Sequence, residues 1–201
     1  EIAVPLKALF NQGILDINTS TKALAEITVD YQVGGKAQRA VVTESVRLQG
    51  RNGMSWADSQ GNPADGRAAA FVTSADPSVL TFARNIASSV SGAGSTTINE
   101  NLAKAMAIHE ALNLYKIVYM ADPRTPYKEL VQRRSEVDFL QFPRETLAYK
   151  AGDCDDLAIL YCALLESLAV ETAFVTVPGH IFMAVSLGMT PGEARRKFKY
   201  V

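Results

Sequence analysis

A chain of 201 residues that is 48% hydrophobic and 20% charged has ordinary globular composition, enough for one medium domain or two small ones, and is not a disordered tail. Its 20 basic and 21 acidic side chains leave a formal charge of −1, which indicates neither a nucleic-acid footprint nor an electrostatic membrane anchor. No apolar run approaches the roughly 18 residues that span a bilayer, and Glu1-Ile2-Ala3-Val4-Pro5 shows neither an initiator Met nor a signal-peptide pattern, so the sequence reads as an internal piece of a longer precursor.

Residues from about Ile14 to Leu48 read as strands. The clearest alternation is Ile27, Val29, Tyr31 and Val33 against Thr28, Asp30 and Gln32, after which Gly34-Gly35 turns the chain. A polar stretch from Arg51 to Gly66 holds the single tryptophan, Trp56. Residues 1–70 are thus expected to form a small β module, a fragment of a sandwich, whose plain reading is packing or partner binding.

Asp76-Pro77 then supplies an N-cap and a first helical residue, and Val79, Leu80, Phe82, Ala83 and Ile86 mark the apolar face of a helix to about Val90. A second helix is expected from about Ile98 to Met120, with His109 as a structural or solvent-facing residue within it. Asp122 to Gln141 reads as a long polar connection carrying Pro123, Pro126 and the charged cluster from Gln132 to Glu136. Pro143 to Leu147 should make a short helical turn. The next helix opens at Gly152-Asp153-Cys154-Asp155-Asp156-Leu157 and continues with Leu160, Tyr161, Leu164, Leu165 and Leu168 at spacings of three and four, as a buried helix requires. Strands over Glu171–Val177 and Ile181–Leu187 flank the corner Pro178-Gly179-His180, and a last helix starts at Pro191.

Cys154 and Cys162 lie on one helix about 12 Å apart along its axis, too far to pair with each other, and cysteine usage leaves the compartment open. At a helix N-terminus the unpaired N–H groups and the dipole favour the thiolate of Cys154, whereas Asp153, Asp155 and Asp156 oppose it. A histidine partner is therefore needed, and His180, 26 residues on at the head of a strand, fits the arrangement of thiol–imidazole catalysis. Cys162, among Leu160, Ala163 and Leu164, reads as packing. Three carboxylates on one short turn are hard-cation ligands by chemistry, but the reading from the residues favours Asp153 or Asp155 as cap of the helix and Asp156 as an acceptor for a neighbouring loop.

Gln141-Phe142-Pro143-Arg144-Glu145-Thr146-Leu147, then Gly152-Asp153-Cys154-Asp155-Asp156-Leu157-Ala158, then Pro178-Gly179-His180 resemble the transglutaminase-like cysteine-protease superfamily of bacteria and archaea. The resemblance runs from roughly Asp76 to the C-terminus. It implies an α+β, papain-like core over residues 71–201, with helices packed on an antiparallel sheet, Cys154 as nucleophile and His180 as general base. An oxyanion hole would combine the Cys154 N–H with an upstream donor, for which Gln141 is nominated. The superfamily's orienting Asp, or its equivalent, comes from the strand after the His strand. Here Pro191 to Phe198 reads as a helix instead, so the domain is expected to be incomplete at its C-terminus. Glu171 and Glu193 are the nearest acidic residues, and Glu193 heads that helix, where a carboxylate favours the dipole.

Periplasmic transglutaminase-like proteinases that cut surface adhesins bind calcium through acidic residues flanking the catalytic Cys. That second resemblance implies calcium at Asp153, Asp155 and Asp156 and favours an extracytoplasmic location; no other cofactor is required. The expected function is a thiol hydrolase or acyltransferase acting on a protein or peptide amide, more in the manner of a protease or amidase than of a cross-linking enzyme. The rival reading is a non-catalytic binding or scaffolding module that keeps the fold. Substrate and oligomeric state are not legible.

Overall fold

The computed structural model describes residues 9–90, 98–122 and 136–197. The chain divides into two compact units, Glu1–Gly53 and Met54–Val201. Its architecture mixes helices with small, mostly antiparallel two-stranded sheets, which is an α+β arrangement.

The first unit is built on one long hairpin. Strands β1 (Thr21–Val33) and β2 (Lys36–Leu48) pair antiparallel from Thr21↔Leu48 to Val33↔Lys36. Gly34 and Gly35 form the two-residue turn with φ of 55° and 75°, the left-handed pair that a tight hairpin twist demands and that glycine adopts without strain. Gln12–Asp16 is a 3-10 helix rather than the start of a strand, and its leading Asn11 side chain accepts from the Gly13 N–H at 3.0 Å. Among the described residues this unit holds a single two-stranded sheet, so the expected sandwich fragment reduces to a ribbon.

In the second unit the core forms around one buried helix. Helices α1 (Pro77–Val90) and α2 (Glu100–Leu114) come first. Asp76 caps α1 by accepting from the Ser78 N–H at 2.9 Å, and Asn99 caps α2 by accepting from the Leu102 N–H at 3.0 Å. After them come α3 (Pro143–Tyr149) and α4 (Cys154–Glu166), the helix that carries the cysteines. Leu160, Ala163, Leu164 and Leu165 of α4 pack with Val79 and Ala83 of α1, Ala105 and Ile108 of α2, Leu147 of α3, and Val170. On its other flank Cys154 and Ile159 join Met54, Trp56, Ala68, Phe71, Leu140 and Ile181. The boundary therefore falls after Gly53 and not near residue 70: Met54, Trp56 and Phe71 fill the second unit's core.

The remaining strands are short. β3 (Gly53–Ser55) pairs with β5 (Val137–Phe139), and β4 (Val118–Tyr119) pairs parallel with β6 (Ala151–Gly152). β7 (Thr172–Val177) and β8 (His180–Val185) make an antiparallel hairpin, followed by α5 (Pro191–Lys197). Helix α2 stops at Leu114, short of the expected Met120, because Lys116 turns left-handed (φ 62°) and Val118 and Met120 give their N–H groups to Lys150 and Gly152. Most of the polar connection, including Pro123, Pro126 and Gln132 to Ser135, lies outside the described residues. No helix among the described residues is long and apolar enough to cross a membrane.

Candidate active site

Backbone geometry brings the nucleophile candidate to the start of α4. Helix α3 begins at Pro143, with Glu145 reaching back to the Phe142 N–H at 2.9 Å, and it ends at Lys150, left-handed at φ 57°. The parallel pairing of β4 with β6 then delivers Asp153 as the residue before α4 and Cys154 as its first residue. Gly152 is required sterically: a Cβ there would stand 2.6 Å from the Asp156 Cβ. On the other side, Pro178-Gly179 turns β7 into β8, with Gly179 at φ 76°, and His180 is the first residue of β8, paired with Val177.

Cys154 and His180 line one pocket of about 230 Å³, together with Tyr119 of β4, Leu157 of α4, and Phe182 and Met183 of β8. The Cys154 sulfur is largely buried and receives the Ile181 N–H, so the residue after His180 is hydrogen-bonded to the thiol. Burial raises the thiol above its ordinary range, the Ile181 N–H pulls it back, and the Asp153 charge raises it again. His180 is exposed and its ring stacks on Phe182 at 6.0 Å. No hydrogen bond joins His180 to a carboxylate among the described residues. Glu193 is engaged elsewhere, accepting from the Thr190 N–H and hydroxyl at 2.7 and 2.8 Å.

Tyr119 had no local signal in the sequence, since only the β4–β6 pairing carries it to Cys154. Burial raises its hydroxyl, and the Cys154, Asp153 and Asp155 charges raise it further. Gln141 does not line the pocket. Its backbone N–H donates to Asp156 Oδ1 at 2.7 Å, and its side-chain Oε1 is buried without a partner among the described residues. Cys162 is 1% exposed within α4, and burial pushes its thiol up to about 11. His109 is exposed on α2, its ring 6.4 Å from that of Tyr161.

The three aspartates converge. Asp153, Asp155 and Asp156 are all buried, and one ligand oxygen from each lies within 4.8 Å of the other two. Asp138, which accepts the Trp56 indole N–H at 2.7 Å, adds a fourth buried carboxylate close enough to raise both Asp155 and Asp156. Burial raises the Asp155 carboxyl well above the carboxylate range, and the facing Asp153 carboxyl reinforces it. Burial likewise raises Asp156 to about 7 against the pull of the Gln141 N–H. Asp153 makes no side-chain cap bond to α4, and Asp155 Oδ2 is buried without a hydrogen-bond partner among the described residues. Two facing carboxyl groups need a proton or a cation between them, and the orphaned oxygen fits a hard cation.

No family model matches the sequence, and no curated protein matches it. A solved structure of a candidate protease from Parabacteroides distasonis is similar at a TM-score of 0.38 and 12% identity, covering 84% of this chain. This chain spans only 35% of the length of that protein.

Proposed function

We propose that this chain is a transglutaminase-like thiol hydrolase acting on a protein or peptide amide, with a papain-like arrangement of its second unit. The observation that carries the reading is the shared pocket: Cys154 at the start of α4 and His180 at the start of β8 open onto one cavity, with the Ile181 N–H held on the sulfur. His180 would take the thiol proton as the sulfur attacks the carbonyl carbon, then return it to the departing amine. Water would resolve the thioester, with His180 again as base. The Cys154 thiol, raised by burial and by Asp153, depends on this partner for its reactivity.

Alkylation tests the reading. Iodoacetamide at neutral pH should modify Cys154 at least about tenfold faster than Cys162, by peptide mapping, and His180→Ala should remove most of that difference. Equal sluggishness at both thiols would favour the second reading, a binding module that retains the fold. That alternative draws support from the raised Cys154 thiol and from the exposed His180, to which no carboxylate among the described residues is hydrogen-bonded.

Calcium belongs to the same proposal. Asp153, Asp155 and Asp156 would hold it, and the ion would neutralise carboxylates that the buried turn otherwise has to protonate. Addition of calcium should raise the melting temperature of chelated protein by several degrees, and the rise should disappear in Asp155→Asn. An unchanged melting temperature in the parent would leave a shared proton as the occupant of the cluster.

A further inference from the structure

We infer that the pocket beside Cys154 admits an apolar side chain of the substrate, within a residue or two of the scissile amide, and disfavours glutamine there; this rests on the thiol-hydrolase reading and sharpens it. From Cys154, the positions i+3, i+4 and i+7 of α4 are Leu157, Ala158 and Tyr161, which form one continuous wall of the cavity. Met183 faces them from β8, where strand alternation puts Phe182 on the opposite, exposed face, and Tyr119 completes the lining.

The polar atoms of these walls are already committed or lie at the reaction centre. The Tyr161 hydroxyl donates to the Ala105 carbonyl at 2.6 Å, which leaves its ring for the pocket. The Tyr119 hydroxyl sits in the field of Cys154, Asp153 and Asp155. A carboxamide pushed between Leu157, Ala158 and Met183 would lose water and gain no partner, a penalty of at least about tenfold in binding. A branched or aromatic side chain gains instead by covering the half-buried Leu157, Tyr161 and Met183. The pocket is open to solvent, and its volume of about 230 Å³ leaves room for one side chain.

Internally quenched peptides that place Leu, Phe, Gln or Gly at each of four positions around one scissile bond provide the kinetic test. At one position kcat/KM should favour Leu or Phe over Gln by at least about tenfold. Ala158→Leu, which fills the pocket, should reduce that ratio below about threefold; Met183→Ala, on the wall of β8 that faces α4, should weaken the same preference if the fuller variant fails to fold. Binding is read separately in Cys154→Ser protein, where N-acetyl-leucinamide should shift the Met183 methyl resonance and N-acetyl-glutaminamide should not. Cys154-dependent cleavage that favours Gln at every position would overturn the inference and leave the hydrolase reading intact. Absent cleavage with a leucinamide-induced shift would overturn the hydrolase reading and retain the apolar pocket. Absent cleavage with no shift would reject both.

Discussion

Single-turnover acyl transfer from an activated peptide ester to this chain is expected to fall at least about a thousandfold in Cys154→Ala and comparably in His180→Ala. The double variant should be no worse than the singles, because a nucleophile without its base and a base without its nucleophile fail at the same step. Mass spectrometry of the trapped thioester gives the direct readout, with the acyl group on the peptide containing Cys154. A Cys154→Ala protein that keeps more than a tenth of parental activity would remove the sulfur from the mechanism. Losses that multiply in the double variant would show that the two residues do not act as a unit.

Chelated protein is expected to gain stability as pH falls from about 7 towards 4, the reverse of ordinary acid denaturation. Asp156 holds its proton up to about 7 in the folded chain against 3.8 as its ordinary value, so the native state binds more protons than the unfolded chain across that interval. The stabilisation is complete below the unfolded value and is lost as pH rises through the folded one. A difference of this size corresponds to about 4 kcal/mol, and Asp155, raised in the same direction by burial, adds to it. Urea unfolding at pH 5 and pH 7.5 in chelator measures the slope. Asp156→Asn should flatten it, because the amide oxygen can still accept from the Gln141 N–H without carrying charge. Bound calcium should do the same from the other side, since its ligands must be deprotonated. A parent protein that is less stable at pH 5 than at pH 7.5 would contradict this account.

Much of the local structure was written in short patterns. Gly34-Gly35 set the hairpin, Asp76-Pro77 started α1, and the leucines after Cys154 declared a buried helix, because each depends on neighbours within a few positions. The placement of Cys154 and His180 was legible for the same reason: a helix start and a tight turn are local features, and each delivers its residue to an element's first position. What escaped was non-local. Trp56 and Asp138 meet across 82 positions, so neither a polar stretch nor a lone acidic residue revealed that the segment after Gly53 fills the second unit's core. The premature end of α2 came from Val118 and Met120 finding strand partners beyond Lys150, which outweighed the helical pattern. Tyr119 reached the pocket through that pairing. The aspartates were visible as a cluster, but their mutual approach and the orphaned Asp155 oxygen are properties of packing.

Tyr161 ties one wall of the pocket to a helix that contributes nothing else to it. Its hydroxyl is fastened to the Ala105 carbonyl of α2, so the ring's tilt, and with it the width of the opening beside Cys154, follows the seating of α2 on α4. Substitutions under α2, at Ala105 or Ile108, can therefore retune what the cavity accepts while every residue facing the substrate stays the same. Under the proposed thiol-hydrolase function, substrate preference would drift by way of the scaffold, ahead of any change at Cys154 or His180.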